Sequence, residues 1–172
     1  MKNVIYKTAY ESPVGMLTLA SDGNSLIGLW IEGQHYFADS IRGEMMEDGS
    51  LEVFGEVKTW LDAYFAGQNP DAGRLKLAPE GTEFRKAVWA ILQEIPYGET
   101  RTYGQIAAEI AAQRGTKTMS AQAVGGAVGH NPISIIIPCH RVLGADGSLT
   151  GYAGGVDKKQ FLLELEVVQV GE

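Results

Sequence analysis

Cys139 and His140 are the residues of this sequence best suited to covalent chemistry. They follow Pro138 and precede Arg141. A thiolate is a soft nucleophile, and an adjacent histidine or arginine favours the thiolate over the thiol. Cys139 is the single cysteine of the chain, so an intramolecular disulfide and a cysteine-rich zinc site are both excluded. A lone cysteine beside an apolar run is more often a small buried hydrophobic residue, but the residues that follow this one favour a nucleophile.

A histidine that acts as a base needs a carboxylate to hold its tautomer. Glu164 and Glu166, on the predicted last helix, are the candidates. The buried stripe of that helix is predicted to hold Phe161, Leu162 and Leu165. Glu166 adjoins the stripe and is the better candidate, although spacing alone leaves the choice open.

The apolar run 133–137 predicts a strand that ends at Pro138, with Cys139 at its tip. Successive side chains on an extended chain point to opposite sides. His140 would therefore reach the sulfur only through a turn or a bridging water.

The first third of the chain has the pattern of a strand meander followed by a helix. Short apolar runs alternate with turns that contain Pro, Gly, Asn and Asp. Apolar residues at helical spacing follow, up to a stop at Ala66 and Gly67. The predicted strands span 4–10, 16–20 and 26–31, and the predicted helix spans 51–65. Residues 70–82 hold prolines and glycines and predict a linker with a boundary near Pro79.

The second part of the chain predicts helices, each preceded by a capping residue. The capping residues are Thr82, Thr102 with Gln105 in a capping box, Ser120, and Asp157 with Gln160. A short turn joins the two middle helices, which predicts a helix-turn-helix. We therefore expect an α+β chain with a small strand-rich domain over residues 1–79 and a mainly helical domain over residues 80–172.

The composition is that of an ordinary globular protein. The chain has 172 residues, of which 45% are hydrophobic and 20% charged, which excludes disorder, collagen and coiled coil for the whole chain. No apolar run is long enough to span a bilayer, and the N-terminus has no signal-peptide pattern, so we expect a cytoplasmic protein without a membrane partner. The net charge of −7 argues mildly against a nucleic-acid partner, although the second domain is the less acidic one.

The helix that follows Ser120 contains Gly125 and Gly126. Each glycine costs about 1 kcal/mol relative to alanine inside a helix. Close packing against another helix would offset this cost. A smooth face that approaches another backbone, such as a DNA groove, would offset it as well, and both interpretations stay open.

Several separated motifs resemble one family. The run PCHRV at 138–142 resembles the active-site signature of the methylated-DNA–protein-cysteine methyltransferases, also called O-6-alkylguanine-DNA alkyltransferases. The resemblance covers nearly all of residues 82–166, and the first domain resembles the family's ribonuclease H-like N-terminal domain. The other matching segments are 84–89, 95–104, 123–127, 131–132 and 151–155.

The resemblance implies a DNA repair protein. Such a protein binds duplex DNA in the minor groove through its helix-turn-helix and rotates the damaged nucleotide into a pocket. It then takes a methyl or alkyl group from O6 of guanine, or O4 of thymine, onto its cysteine. The thioether product is stable to water, so each molecule would react once. We expect no cofactor, no metal and a monomer.

The resemblance also implies roles for individual residues. Cys139 would be the nucleophile, His140 would deprotonate it through a water, and Glu166 would orient His140. Asn131 would brace the turn that carries the cysteine, and Tyr103 would assist rotation and donate to guanine N3. The implied DNA-binding residues are Tyr103, Gly104, Ala121, Gln122, Ala123 and Gly125, and the implied base-pocket residues are Val128, Val142, Tyr152, Ala153 and Gly154.

Two positions depart from the family pattern. Gln122 stands where the family usually carries an intercalating arginine, and Ala153 stands where a serine is common. Glutamine can fill a stack and hydrogen-bond but is uncharged, so DNA affinity should depend less on electrostatics. A backbone N–H would have to replace the serine hydroxyl toward guanine O6. The helix-turn-helix also looks longer than usual, at residues 112–118.

Three other functions fit parts of the sequence. A sensor that binds alkylguanine without repairing it would have no use for Cys139. A cysteine hydrolase would use Cys139, His140 and Glu166, but adjacent Cys and His make an awkward dyad and the helix-turn-helix would be unexplained. A transcription regulator should offer Arg, Lys or Asn to base edges, whereas the second helix of the motif offers only Gln122.

Overall fold

The computed structural model describes residues 4–34, 37, 38, 41, 44–149, 152 and 155–170, the last three of these by backbone alone. The chain divides into two compact units. One is Met1–Glu80 with Pro132–Ser134, and the other is Gly81–Asn131 with Ile135–Glu172. The first unit is built on a sheet and the second is mainly helical, which confirms the α+β class.

The first unit contains a four-stranded sheet in the order β3-β2-β1-β4. Strands β1 to β3 are antiparallel neighbours, as the meander predicts, and β4 lies parallel to β1. The strands are β1 (Ile5–Ser12), β2 (Gly15–Ser21), β3 (Leu26–Ile31) and β4 (Met45–Glu47), and helix α1 (Glu52–Phe65) follows. The pattern missed β4, because a three-residue strand defined by a distant partner leaves little local signal.

Every residue of β3 is buried. Gly28 is required within it, since a Cβ there would lie 2.1 Å from the ring of Trp30. Helix α1 covers the sheet with an apolar stripe that includes Phe54, Val57 and Leu61, each with no exposed surface.

The second unit places its helices as the capping residues predict. The side chains of Thr82 and Ser120 accept from the backbone N–H three residues on, and Thr102 forms the predicted capping box. The elements are α2 (Glu83–Gln93), β5 (Arg101–Thr102), α3 (Tyr103–Arg114), α4 (Ala121–Gly129), β6 (Val142–Leu143) and α5 (Val156–Val170). Strands β5 and β6 form a short parallel pair.

The expected cap of the last helix at Asp157 is wrong. Asp157 lies inside the first turn of α5. The N–H of Lys159 already bonds to the carbonyl of Gly155, so the helical bonding starts at Gly155. Gly155 has φ +105°, a conformation that glycine adopts without strain. The chain therefore enters α5 at Gly155, two residues before the predicted cap at Asp157.

Candidate active site

The prediction of a strand over residues 133–137, before Cys139, is wrong. Within the described run 133–137, only Ile133 pairs, in an isolated bridge with Leu29. All five residues of the run are buried, and such a run lacks the alternation that separates a strand from a compact turn. Ile135 has φ +71°, which is strained for a β-branched residue and needs support from its surroundings.

Cys139 begins a short 3₁₀ turn, Cys139–Arg141, directly after Pro138. Pro138 (φ −81°, ψ 66°) centres an inverse γ-turn, in which the N–H of Cys139 donates to the carbonyl of Ile137 at 2.8 Å. The Asn131 amide donates to the same carbonyl at 2.8 Å and also bonds to the thiol. Residues 137–141, which we call the cysteine turn, are thus tied to Asn131.

Glu166 of α5 joins His140 and Arg141. Its Oε2 lies 2.5 Å from His140 Nε2, and its Oε1 accepts from Arg141 Nε at 2.7 Å. The backbone N–H of Gly98 also donates to Oε1, at 3.3 Å. A carboxylate on Nε2 keeps the proton there in neutral imidazole, so Nδ1 is the nitrogen that can accept a proton.

Charge and burial set the protonation states of Glu166 and His140. Burial would raise the pKa of Glu166, but the bonds and charges of His140 and Arg141 lower it to about 2. Burial lowers the pKa of His140, against the raising effect of Glu166 and with the help of the Arg141 charge. At neutral pH the site therefore holds an ionised carboxylate and a neutral imidazole, which is a base ready to take a proton.

Arg141 is fixed on two further sides. Its Nη1 donates to the carbonyl of Ile95 at 2.7 Å, and its guanidinium lies 5.7 Å from the centre of the Tyr97 ring. Sequence reasoning gave Arg141 only a general effect on the thiol. Its contact with Glu166 depends on the phase of α5, which the sequence pattern predicts only in part: Leu162 is fully buried, as predicted, but Phe161 is 38% exposed.

Lys159 is a residue of this site that sequence reasoning missed. Its side chain has no exposed surface, and its ammonium donates to the carbonyl of Val142. Burial lowers the pKa of Lys159 to about 8, against the attraction of Cys139. Burial likewise raises the pKa of the Cys139 thiol, while the Asn131 bond and the Lys159 charge lower it. Lysine is rarely buried, so no local signal marked this position.

Two tyrosines, Tyr103 and Tyr152, interact electrostatically with Cys139. Burial raises the pKa of Tyr103 and of Tyr152, and the charge of Cys139 adds to both shifts. Both phenols thus stay protonated and can donate. The hydroxyl of Tyr152 is buried and makes no hydrogen bond to the described residues. Val128 and Val142 are buried in the same unit, whereas Ala153 and Gly154 lie outside the described residues.

The helix α4 presents a face of small uncharged side chains. Ala121, Gln122, Ala123 and Gly126 are exposed, and we call them the open face of α4. Among the described residues nothing lies within 4 Å of where a Gly126 Cβ would stand, whereas a Cβ on Gly125 would touch the Tyr103 ring at 3.9 Å. Packing therefore does not account for Gly126. Trp89 anchors the other side of the helix through Nε1, which donates to Ala127 O at 2.8 Å.

None of the described helices has both the length and the apolar character needed to span a membrane. No group of three or more His, Cys, Asp or Glu side chains in the described part of the chain could hold a metal ion.

Two family models match the chain. The ribonuclease-like domain of 6-O-methylguanine DNA methyltransferase matches residues 5–79, and the DNA binding domain of the same family matches residues 83–168. Together they account for both units.

Relatives and solved structures agree with these models. A methylated-DNA–protein-cysteine methyltransferase of Haemophilus influenzae is 44% identical over 95% of this chain and 87% of that protein. One of Methanosarcina acetivorans is 47% identical over 94% and 98%. The crystal structure of Mycobacterium tuberculosis OGT in complex with DNA is 44% identical, covers 95% of this chain and 94% of that chain, and superposes with a TM-score of 0.82. On this evidence, the chain belongs to the methylated-DNA–protein-cysteine methyltransferase family.

Proposed function

We propose that this protein repairs DNA by transferring a methyl or alkyl group from O6 of guanine, and from O4 of thymine, to Cys139 in a single turnover. The observation that carries the proposal is that Cys139, His140 and Glu166 are all buried in the same site of a chain that belongs to this family. The single cysteine is hydrogen-bonded by Asn131, and the adjacent imidazole is neutral and held by an ionised carboxylate.

The chemistry follows from these groups. His140 takes the thiol proton through a water, and the thiolate sulfur attacks the alkyl carbon. The bond from that carbon to O6 breaks, and its electron pair passes to the guanine. Tyr103 donates a hydrogen bond toward N3, which stabilises the departing base. The thioether that forms has no activated carbonyl for water to attack, so the protein is consumed.

Nucleotide rotation brings the reacting carbon to the sulfur, because that carbon is hidden in the base stack. We propose that the helix-turn-helix docks through Tyr103, Gly104, Gly125 and the open face of α4. Gln122 then fills the vacated stack. The pocket for the base is formed by Val128, Val142, Tyr152, Ala153 and Gly154.

The protein is proposed to act as a monomer in the cytoplasm, where Cys139 stays reduced. We place the domain boundary near Pro79, between the two matched family models. Residues 80–172 would hold the DNA-binding and transfer functions.

The test is incubation with a duplex that carries O6-methylguanine, followed by mass measurement of the intact protein. One added methyl group, mapped to Cys139 and absent in Cys139→Ser, is expected. An unmodified protein that nevertheless binds the lesion would replace this proposal with that of a lesion-binding protein, for which Cys139 has no use.

A further inference from the structure

One side of helix α1 forms the wall of a groove in the first unit, which we call the α1 groove. Its volume is about 980 Å³, at the upper end of the range for ligand sites. The residues of this wall follow one another at intervals of three or four or directly adjoin such a position, so they share one side of the helix. They are Glu52, Gly55, Glu56, Thr59, Trp60 and Ala63. Residues 49–51, 70, 71, 74 and 75 form the rest of the groove, and all of them belong to the same compact unit.

This side of α1 is built against the stability of the helix. Gly55 lies inside α1, where glycine is less favourable than alanine. Packing does not account for it, because among the described residues nothing lies within 4 Å of where a Gly55 Cβ would stand. Glu52 and Glu56 are both exposed, and like charges four residues apart repel each other. Natural chains place such local conflicts at functional positions, so we infer that this side of α1 serves binding.

Trp60 forms the floor of the α1 groove and carries a hydrogen-bond donor without an acceptor. Its side chain is 9% exposed and its ring stacks on that of Tyr64. The indole Nε1 is buried and makes no hydrogen bond to the described residues, whereas Nε1 of Trp89 donates to the carbonyl of Ala127 at 2.8 Å. A buried donor without a partner costs free energy. An acceptor on an occupant of the groove would remove that cost.

The charges that line the α1 groove favour a cationic occupant. Three carboxylates line it, those of Glu52, Glu56 and Asp71, and Arg74 is the one cation among the described lining residues. The contact of Arg74 with Asp71 is long, at 4.0 Å, and both side chains are exposed, so it compensates little. The excess of negative charge argues against a nucleic-acid occupant and for lysine or arginine side chains.

The length of the wall fits a short stretch of extended chain. The helix from Glu52 to Ala63 rises about 17 Å, which about five extended residues span. An extended backbone carries carbonyl groups that can accept from the indole of Trp60, and it can approach α1 closely at Gly55. Blocks of basic residues are typical of the tails of proteins that act on nucleic acids.

We propose that the α1 groove binds an extended basic segment of another protein, with cationic side chains against Glu52 and Glu56 and a backbone carbonyl that accepts from the indole N–H of Trp60. This binding site goes beyond the proposed alkyl transfer and shares no residue with it. The groove would let the first unit recruit a partner while the second unit acts on DNA.

The first experiment fills the groove. The probe is a fluorescein-labelled octapeptide of alternating lysine and alanine, and its affinity for the full chain is measured by fluorescence anisotropy. Gly55→Leu places a side chain in the open space above Gly55 and should weaken binding about tenfold or more, whereas Gly55→Ala, the matched helix variant, should stay within about twofold of the parent. Circular dichroism checks that both variants are folded. Equal affinities of the two variants, or no binding to the parent, would overturn the proposal.

The second experiment separates the groove from general charge attraction, since the chain as a whole carries −7. Glu56→Gln is compared with Glu11→Gln, which removes the same charge from an exposed position of β1 outside the groove. Glu56→Gln should weaken binding severalfold and Glu11→Gln should leave it unchanged. Equal losses would show attraction to net charge only and refute the site. Displacement of the probe by spermidine as efficiently as by unlabelled peptide would show that the groove takes a small cation, and the peptide assignment would then be wrong.

The third experiment places the peptide at Trp60 in the parent chain. The indole N–H signals of Trp30, Trp60 and Trp89 are recorded by NMR during titration with the same octapeptide, unlabelled, and Trp60→Phe identifies the Trp60 signal. That signal should move downfield, because the N–H gains an acceptor, while the signal of the already bonded Trp89 stays constant. Binding that leaves the Trp60 signal in place would contradict the proposed contact. None of the three experiments contains DNA or alkylguanine, so their results are independent of whether the protein repairs DNA.

Discussion

At the cysteine turn the charges are buried and matched, whereas the open face of α4 carries no charge. The side chain of Glu166 is 1% exposed and that of Arg141 is 11% exposed, in a site where electrostatic interactions are strong. The open face offers only small side chains and Gln122. If the proposed function holds, this difference predicts that the chemistry depends on fixed charges, while the approach to DNA through α4 depends on shape.

The largest expected effect comes from removing the nucleophile. Cys139→Ser should abolish alkyl transfer, since a serine hydroxyl is far harder to ionise, and should leave DNA binding within about twofold of the parent. Gel-shift titration with a methylated duplex measures binding, and mass measurement gives transfer. If binding were lost together with transfer, the separation between the cysteine turn and the open face of α4 would be broken.

The next effect concerns the carboxylate that holds His140. Glu166→Gln should slow the reaction with a free alkylguanine base by roughly tenfold or more, because a positioned base contributes at least about 100-fold. The control is Glu164→Gln, two residues away in sequence, where the exposed carboxylate accepts a hydrogen bond from Gln160. Single-turnover rates give the comparison, and equal small effects would remove Glu166 from the network.

The loss of stability in Glu166→Gln should depend on pH. The pKa of Glu166 is lowered from 4.5 to about 2 in the folded protein, so its stabilising effect is complete above pH 4.5 and is lost as the pH falls toward 2. Glu166→Gln should cost about 3 kcal/mol at neutral pH, because Arg141 loses its partner. Urea unfolding across this pH range should show a smaller difference at pH 2.5 than at pH 7. A constant difference would contradict the ion pair.

The two regions also differ in how far the sequence predicts them. Helices α2, α3 and α4 are capped by Thr82, Thr102 and Ser120, as predicted. This could be predicted because a capping bond joins residues only three apart. The cysteine turn depends on distant partners, and the apolar run 133–137 that leads into it is predicted as a strand but does not form one. Every residue of that run is buried, so periodicity carries no information about its backbone.

Helix α5 shows the limit most clearly. The sequence pattern places Glu166 near His140 because it adjoins the predicted apolar stripe, but that stripe is only partly correct, since Leu162 is buried and Phe161 is not. Two of its buried positions are taken by Lys159 and Glu166, which a hydrophobic pattern counts as surface. Phe161 is exposed in consequence. Buried charges are matched by tertiary partners, and a single sequence shows those partners only after the chain is folded.

Tyr103 links the two regions. It is the first residue of α3 and lies next to Gly125 of α4, and the charge of Cys139 contributes to its raised pKa. Tyr103→Phe should slow repair of duplex DNA roughly tenfold, about 1.4 kcal/mol in the barrier. The ring contacts remain, so thermal unfolding should change little. Coinciding repair rates for mutant and parent would show that the hydroxyl is idle and that Tyr103 only packs.

The smallest expected effect tests the open face itself. A residue that replaces a flipped base needs length and a polar tip, and Gln122 has both, between the small side chains of Ala121 and Ala123. Gln122→Ala should weaken duplex repair severalfold, because nothing would fill a stack that takes a few kcal/mol to open. Gln122→Arg should tighten DNA binding and steepen its salt dependence by about 0.9, the slope of one phosphate contact.

Gln93→Ala, at the exposed end of α2, is the control and should change neither duplex repair nor DNA binding. A free alkylguanine base needs no flipping, so both variants of Gln122 should match the parent with that substrate. If Gln122→Ala slows the free-base reaction as much as the duplex reaction, the side chain supports the fold, and the contrast between a charged site and a neutral docking face no longer holds at this residue.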